Sequence, residues 1–252
     1  MLTEDRRSGI LAMLRREGTL RVETLATRFG VSGATLRSDL RALEDGQLVR
    51  RAHGTVSPST LNVTDMPVDE KYRIRQDEKK RIGAAAASLV GAGDSVILTS
   101  GTTMEAMARS FPDGLEANVV TSSIRVASIL SARRHLRILV LGGTLVANSL
   151  SVRDDYSLYG LGSIHAGKLF FSCDGFDLVA GVTTAFPEEA RLTRYMMERA
   201  EEKILLADSS KLGRIGFGRI CGWNEIDVLV TDSELSPAVL SQIEGAGVRV
   251  LH

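Results

Sequence analysis

The chain has 252 residues, of which 44% are hydrophobic and 25% are charged, with 31 Lys and Arg against 31 Asp and Glu. This composition is typical of a soluble globular protein with two domains, and it excludes collagen-like, fibrous and disordered chains. No apolar run is long enough to cross a bilayer, and residues 1–7 lack the apolar segment of an export signal, so we expect a cytoplasmic protein that does not enter membranes. Cys173 and Cys221 lack a CxxC partner or a flanking His. We therefore expect no disulfide, metal or cofactor.

The zero net charge conceals an uneven distribution along the chain. Residues 1–60 carry ten Arg, no Lys and seven acidic residues, whereas the remaining 192 residues carry 21 basic and 24 acidic ones. A small arginine-rich segment joined to a larger, mildly acidic one indicates that the first part binds a polyanion.

The N-terminal segment has the pattern of a winged helix-turn-helix. Apolar residues at helical spacing predict helices over residues 6–16, 22–29 and 33–45, the last ended by Gly46, and Ser32 is placed to cap the third helix after a short turn. Residues 48–51 and 54–56 predict the two strands of a wing. We assign residues 1–57 to this DNA-binding domain.

The third helix has one apolar and one polar face. At 100° per residue, Leu40 and Leu43 lie close to Leu36, and the opposite face carries four small or basic side chains, Ala34, Arg37, Ser38 and Arg41. We expect Arg37 and Arg41 to read guanine in the major groove of double-stranded operator DNA. Phosphate contacts are expected from Ser32, Thr35, Arg50, Arg51 and His53. Taken alone, either arginine is more simply explained as part of a solvent-exposed helix face.

Residues 58–70 are rich in Pro, Ser, Thr, Asn and Asp without apolar periodicity, which is typical of a linker. From residue 71 to 252, helices alternate with short apolar strands. Helices are predicted at residues 71–91, 104–110, 124–132, 187–200 and 237–244, and strands at 95–99, 119–121, 137–141, 169–173, 204–207, 227–231 and 248–251. This alternation predicts an α/β domain with a doubly wound, mostly parallel sheet and a ligand site at the carboxyl ends of the strands.

Polar or glycine-rich segments follow nearly every predicted strand. The first, at residues 100–103, opens a helix, where backbone amides and hydroxyls can hold a phosphate. Taken singly, each segment has a simpler interpretation as a turn, a helix cap or a surface lysine. Because strand ends converge in such a fold, we expect one effector site that includes Ser100, Gly101, Thr102, Thr103, Thr121, Ser122, Gly142, Gly143, Asp174, Gly175, Asp177, Glu189 and Lys211.

Residues 22–40 (VETLATRFGVSGATLRSDL) and 48–54 (LVRRAHG) resemble the winged helix-turn-helix of the DeoR family of bacterial transcription regulators. That family usually has a second arginine where this chain has Ser38, and often a second glycine where it has Thr55. The resemblance implies a protein that represses sugar-utilisation genes, and a ligand whose binding relieves that repression. One helix-turn-helix buries too little surface for tight specific binding, so we expect a homodimer or homotetramer.

The second domain resembles the sugar-phosphate sensor domain of the same family, through SGTT at 100–103, LGG at 141–143, DGFD at 174–177, GVTT at 181–184 and DSSKLGR at 208–214. The resemblance implies a phosphorylated sugar as effector. Because that domain is similar to ribose-5-phosphate isomerase, an isomerase-like enzyme with an accessory DNA-binding domain is the alternative. Those isomerases have a lysine shortly after DGxD, and residues 178–181 (LVAG) contain none, so the expected stabiliser of an enediolate is missing at that position.

Overall fold

The computed structural model describes residues 3–45, 48–52, 54–58 and 68–252. These residues form two compact units, the first containing the described residues up to Pro58 and the second nearly all of those from Val68 onward. Each unit has its own apolar core. The predicted stop at Gly46, the wing residue His53 and most of the predicted linker lie outside the described residues.

The first unit is a winged helix-turn-helix, as the sequence predicts. Its core is built from fully buried side chains that include Ile10, Leu14, Leu25, Leu36 and Leu40. The helices pack against a three-stranded antiparallel sheet of order β1-β3-β2. The elements are α1 (Thr3–Glu17), β1 (Leu20–Arg21), α2 (Val22–Phe29), α3 (Gly33–Asp45), β2 (Val49–Ala52) and β3 (Thr55–Pro58).

The turn between α2 and α3 has two local causes. Gly30 takes the left-handed conformation (φ 62°) that ends α2, and its N–H bonds to carbonyls of the last turn. The Ser32 hydroxyl then accepts the Thr35 N–H at 3.1 Å and caps α3. The predicted cap is therefore present, and it sets the start of the helix that faces outward.

A buried carboxylate joins α1 to α3. Asp39, 2% exposed, accepts the Nε–H of Arg6 at 2.6 Å and that of Arg7 at 3.1 Å. Burial alone would raise the pKa of Asp39, but the two hydrogen-bonded arginines outweigh it and hold this pKa below its ordinary value.

Replacing Asp39 by Asn is expected to lower the melting temperature of the first unit at pH 7. A carboxyl with a depressed pKa stabilises the fold above its unfolded pKa of about 3.9 and loses that contribution as pH falls through the folded value. The difference between Asp39→Asn and the parent, followed by thermal unfolding, should therefore shrink toward pH 3. Glu17→Gln, which removes an exposed partner of Arg28, is the matched control and should have little effect. An unchanged melting temperature for Asp39→Asn would contradict this role.

The second unit is a seven-stranded parallel sheet with helices on both faces, which confirms the predicted fold class. Its helices are α4 (Val68–Arg73), α5 (Gln76–Ala87), α6 (Thr102–Arg109), α7 (Ile124–Leu130), α8 (Asp155–Leu161), α9 (Pro187–Met197) and α10 (Pro237–Gly245). Its strands are β4 (Ser95–Leu98), β5 (Ala117–Thr121), β6 (Leu136–Val140), β7 (Leu145–Val146), β8 (Ser151–Val152), β9 (Ala166–Ser172), β10 (Gly175–Asp177), β11 (Gly181–Thr184), β12 (Ala200–Leu206), β13 (Gly218–Cys221), β14 (Val228–Val230) and β15 (Arg249–Leu251).

The strand order is β15-β14-β12-β9-β4-β5-β6. From β4 the chain runs outward through β5 to β6, and from β9 it runs the opposite way through β12, β14 and β15. The direction therefore reverses between β4 and β9. In open parallel sheets the crevice for a ligand forms at the carboxyl ends of the strands beside this reversal.

The predicted helix over residues 71–91 is instead two helices. α4 begins at Val68, inside the predicted linker, and the chain breaks at Arg75, whose φ of 53° is rare for a residue other than glycine. The Arg75 guanidinium bonds to Asp232 at 3.2 Å and to Glu234 at 2.8 Å, so contacts distant in sequence hold the break. The sequence analysis also missed α8, the pair β7-β8 and the antiparallel sheet β10-β11-β13.

Gly83 lets α5 cross α6 closely. A Cβ on Gly83 would lie 2.6 Å from the backbone of Ala106 and Met107. We expect Gly83→Ala to destabilise the second unit by about 1–3 kcal/mol, because this overpacking exceeds the gain of roughly 1 kcal/mol in helix propensity. Gly245→Ala in α10, where a Cβ meets nothing within 4 Å, is the control. Chemical denaturation should show a loss for the first variant and none for the second, and equal midpoints would argue against the close crossing.

Candidate functional site

The outward face of α3 carries the predicted DNA-contacting side chains. Ala34, Thr35, Arg37, Ser38 and Arg41 are exposed, whereas Leu36, Leu40 and Leu43 are buried in the core of the first unit. The structure therefore brings Arg37 and Arg41 together on one accessible helix face, and neither has an ion-pair partner among the described residues. This arrangement suits insertion into a groove.

The wing supplies two further exposed arginines. Arg50 and Arg51 lie on β2, and Ser32 is exposed at the start of α3. Arg51 lies 3.5 Å from the Glu44 carboxylate, so part of its charge is offset within the protein. Within the described part of the chain Arg50 has no such partner, which makes it the stronger candidate for a phosphate contact.

In the second unit a cavity opens at the reversal between β4 and β9. Four predicted residues that follow β4 line it, Ser100, Gly101, Thr102 and Thr103, together with Asp174 after β9, Glu189 on α9 and Lys211 after β12. The sequence prediction therefore placed seven of its thirteen effector residues on the wall of this cavity.

The β4–α6 loop forms the floor of the cavity. Gly101 has φ 119°, and a Cβ there would lie 3.0 Å from the Ser172 Oγ, which itself donates to the Ser100 carbonyl at 3.0 Å. α6 begins at Thr102, and the first amides of a helix have no intrahelical acceptor. These amides and the helix dipole favour a bound anion.

Four cations lie around the floor of the cavity: Lys71, Lys79, Lys211 and Arg214. Lys79, 7% exposed, donates to the carbonyls of Lys71 at 2.6 Å and Ile74 at 2.8 Å. Its burial, with the nearby charge of Lys211, lowers the pKa of Lys79 to about 8. The Nε of Arg214 is buried without a hydrogen-bond partner among the described residues.

A hydrogen-bonded chain crosses the cavity wall. Asp174 accepts Lys71 Nζ at 2.9 Å, Thr184 Oγ1 at 2.9 Å and the Ala185 N–H at 3.0 Å. Burial would raise the pKa of Asp174, but these donors, led by Lys71, hold it below its ordinary value. Burial and the Asp174 charge raise the pKa of Glu189, whose Oε2 also lies 2.9 Å from Thr184 Oγ1.

Six predicted effector residues do not line the cavity: Thr121, Ser122, Gly142, Gly143, Gly175 and Asp177. Thr121 ends β5, Ser122 follows it, and Gly142 and Gly143 follow β6; these two strands lie one and two strands beyond the reversal. Gly175 packs where a Cβ would meet the Arg214 carbonyl at 2.3 Å. The Asp177 carboxylate accepts the N–H groups of Val179 and Ala180, both at 2.9 Å, in a local turn.

The sequence analysis did not single out Lys71, Lys79, Asn148, Ser149 or Arg153 as site residues. For Lys79 a signal exists, because it shares the helical face of Ile82, Gly83 and Ala86, and a lysine on a buried face needs a polar partner. Arg153 follows the short strand β8, and no feature of the neighbouring sequence marks it as a site residue.

The described residues contain neither a metal-binding cluster nor a helix that could span a membrane. No group of His, Cys, Asp or Glu side chains in that part of the chain is placed to hold a metal ion. Among the same residues, no helix has the length and apolarity that a membrane crossing requires.

Both units of the chain match known protein families. Residues 6–60 match the DeoR-like helix-turn-helix domain, and residues 74–233 match the DeoR C terminal sensor domain. The HTH-type transcriptional repressor GlcR of Bacillus subtilis is 32% identical over 251 residues, covering 100% of this chain and 96% of that protein. The lactose phosphotransferase system repressor of Streptococcus mutans is 32% identical over 237 residues, covering 93% and 94%.

Among solved structures, ribose 5-phosphate isomerase A of Methanocaldococcus jannaschii aligns over 54% of each chain with 15% identity and a TM-score of 0.41, which is too partial to bear on function. The full-length relatives are named as repressors, and the alternative of an isomerase-like enzyme is set aside. With both of its domains matched, the chain belongs to the DeoR family of transcriptional regulators.

Proposed function

We propose that the protein represses a sugar-utilisation operon and that a phosphorylated sugar bound in the second unit modulates its affinity for DNA. The observation that carries the proposal is the cavity beside the β4–β9 reversal, which joins a helix N-terminus to several cations. The similarity to a lactose phosphotransferase system repressor supports a sugar operon. A regulator of this kind meets its operator in the cytoplasm.

On DNA, we assign base reading to Arg37 and Arg41, with the small side chains Ala34 and Ser38 permitting close approach to the groove. Ser32, Thr35, Arg50 and Arg51 fix the position through phosphates. A single such domain covers one half-site, so the active species is a homodimer or homotetramer on repeated half-sites.

In the cavity, we place the phosphate against residues 100–103, with Lys79, Lys211 and Arg214 as its counter-charges. The ionised Asp174 is placed to accept hydrogen bonds from sugar hydroxyls. The ligand changes DNA affinity by binding two arrangements of the oligomer unequally, and such couplings are typically about 1–3 kcal/mol.

The test is a panel of sugar phosphates and their unphosphorylated parent sugars, each added to the full-length protein during thermal unfolding. A ligand at a hundred times its dissociation constant adds about 2.7 kcal/mol of stability, or several degrees. We expect a shift with at least one phosphate and none with its parent sugar. A panel without any phosphate-dependent shift would refute the proposed ligand class while leaving the DNA-binding assignment intact.

The affinity for the phosphorylated effector is expected to fall as pH rises through about 8. Lys79 has a pKa of about 8 and is a cation only below that pH, whereas the ligand phosphate is already a dianion. Isothermal titration at pH 7, 8 and 9 should show a loss of at most about tenfold per unit. Lys79→Met should bind weakly with a flatter profile, and Lys80→Met, at an exposed neighbouring lysine, should keep the parent profile. A steep profile that survives in Lys79→Met would assign the titration to another group.

A further inference from the structure

Arg153 is a cavity-lining cation that is not part of the proposed phosphate site, which we call the phosphate cradle (residues 100–103 with Lys79, Lys211 and Arg214). Its side chain is 13% exposed, and its guanidinium lies over the Phe186 ring at 3.9 Å from the centroid. This stacking fixes the plane of the guanidinium and leaves its edge available to a ligand. Arg153 lines the same cavity as Ser100 and Lys211. Hydrogen bonds link it through Glu189 and Thr184 to Asp174.

Among the described residues, the acidic group in contact with Arg153 is that of Glu189, and it is too distant for a strong ion pair. Glu189 Oε2 lies 3.4 Å from the Arg153 guanidinium, whereas charge-assisted hydrogen bonds are about 2.7–2.9 Å long. The acids that follow Arg153 in the chain are engaged elsewhere. Asp154 accepts the Thr144 and Ser157 amides, and Asp155 pairs with Arg191.

Hydrogen counting favours a protonated Glu189, whose side chain is 33% exposed. Thr184 Oγ1 lies 2.9 Å from both Asp174 Oδ2 and Glu189 Oε2, yet a hydroxyl has only one hydrogen to donate. Asp174 already accepts Lys71 Nζ and the Ala185 N–H, as an ionised carboxylate does, so Thr184 donates to Asp174. The hydrogen in the second contact then comes from Glu189. The raised pKa of Glu189 agrees with this assignment.

A neutral Glu189 leaves the positive charge of Arg153 uncompensated within the described part of the site. Two other cations of the cavity do face a carboxylate: Lys71 is paired with Asp174, and Lys211 faces Asp208, whose pKa it helps to hold low against the effect of burial. A buried, fixed arginine without a counter-charge is costly unless a ligand supplies one.

We propose that the effector carries a second acidic group, a carboxylate or a further phosphate, in addition to the phosphate held by residues 100–103, and that Arg153 binds it. The proposal rests on the proposed function, because it concerns the same cavity. A planar guanidinium binds either acid through two parallel hydrogen bonds. The ligand class is therefore a phosphorylated sugar acid or a sugar bisphosphate rather than a neutral sugar with one phosphate.

The experiment compares ligands that differ only at the far end of the sugar. The probes are sorbitol 6-phosphate against 6-phosphogluconate, and ribitol 5-phosphate against 5-phosphoribonate, with fructose 1,6-bisphosphate as the bisphosphate probe. Dissociation constants are measured by isothermal titration on the full-length parent, Arg153→Gln and the control Arg191→Gln. Arg191 is an exposed arginine on α9 that does not line the cavity.

The parent is expected to bind at least one doubly acidic ligand about ten- to a hundredfold more tightly than its singly acidic partner, the range typical of a hydrogen bond to a charged group. Arg153→Gln should reduce that ratio to about one while still binding the singly acidic ligand, and Arg191→Gln should keep the parent ratio. The ratio in the parent is independent of how well the variant folds.

Equal affinity for both members of each pair in the parent would overturn this inference and leave the proposed function standing. A preference that persists in Arg153→Gln would also overturn it, because another group would then hold the acid. Failure of every phosphate to bind at millimolar concentration would instead overturn the proposed function, and this inference with it. If the parent binds fructose 1,6-bisphosphate more tightly than fructose 6-phosphate, and Arg153→Gln does not, the result supports the inference. It also identifies the second acid as a phosphate.

Discussion

Replacing Arg37 or Arg41 by Ala is expected to weaken binding to the operator by about 1–3 kcal/mol each and to relax the preference at one base pair. Both side chains are exposed on the outward face of α3, opposite the buried Leu36 and Leu40. Truncation removes a bidentate contact to guanine without disturbing the core. The measurement is a fluorescence anisotropy titration on a duplex that the parent protein selects from a random pool, at one fixed salt concentration.

Arg50→Ala is the matched control for base reading. Arg50 is also an exposed arginine, but it lies on β2 in the wing. As a phosphate contact it should lower affinity equally for the selected duplex and for unrelated DNA, and it should reduce the salt slope by about one. If Arg37→Ala and Arg41→Ala both bind the selected duplex as the parent does, then α3 does not read the bases.

The elements of the fold were largely predictable because their causes are local. The sequence predicts α2 and α3 with the bounds that the structure shows, since Gly30 and Ser32 set the turn between them. The strands of the parallel sheet are short, mostly apolar runs, and their alternation with helices predicts a parallel sheet. The break at Arg75 was not predictable, because Asp232 and Glu234, more than 150 residues away, hold it.

The site was predictable only in part, for a topological reason. Sequence alone marks the polar segment that follows each strand, but it does not give the strand order. Ser100 and Asp174 follow the strands on either side of the reversal and line the cavity, whereas Ser122 and Gly142 follow β5 and β6, farther from the reversal, and do not. Arg153 reaches the cavity from outside the parallel sheet, so no inspection of strand ends identifies it.

Two variants of the phosphate cradle are expected to retain DNA binding and lose the response to the effector. They are Lys211→Gln, and Thr102→Val combined with Thr103→Val. Lys211 lines the cavity, and the two threonines begin α6 at its floor. Loss of one charge-assisted contact should weaken the effector by about ten- to a hundredfold, enough to abolish a response measured near the parent's half-saturating concentration.

The response is measured as the effector-dependent change in operator affinity for each variant. Lys80→Gln, an exposed lysine on α5 paired with Asp77, is the control and should respond as the parent does. Because the substitutions lie in the second unit and the DNA contacts lie in the first, operator binding without effector should be unchanged, and thermal unfolding of each variant reports that the second unit is folded. If Lys211→Gln and the threonine pair both still respond at the parent's effector concentration, then the phosphate binds elsewhere, and the cradle at residues 100–103 is only the turn that joins β4 to α6.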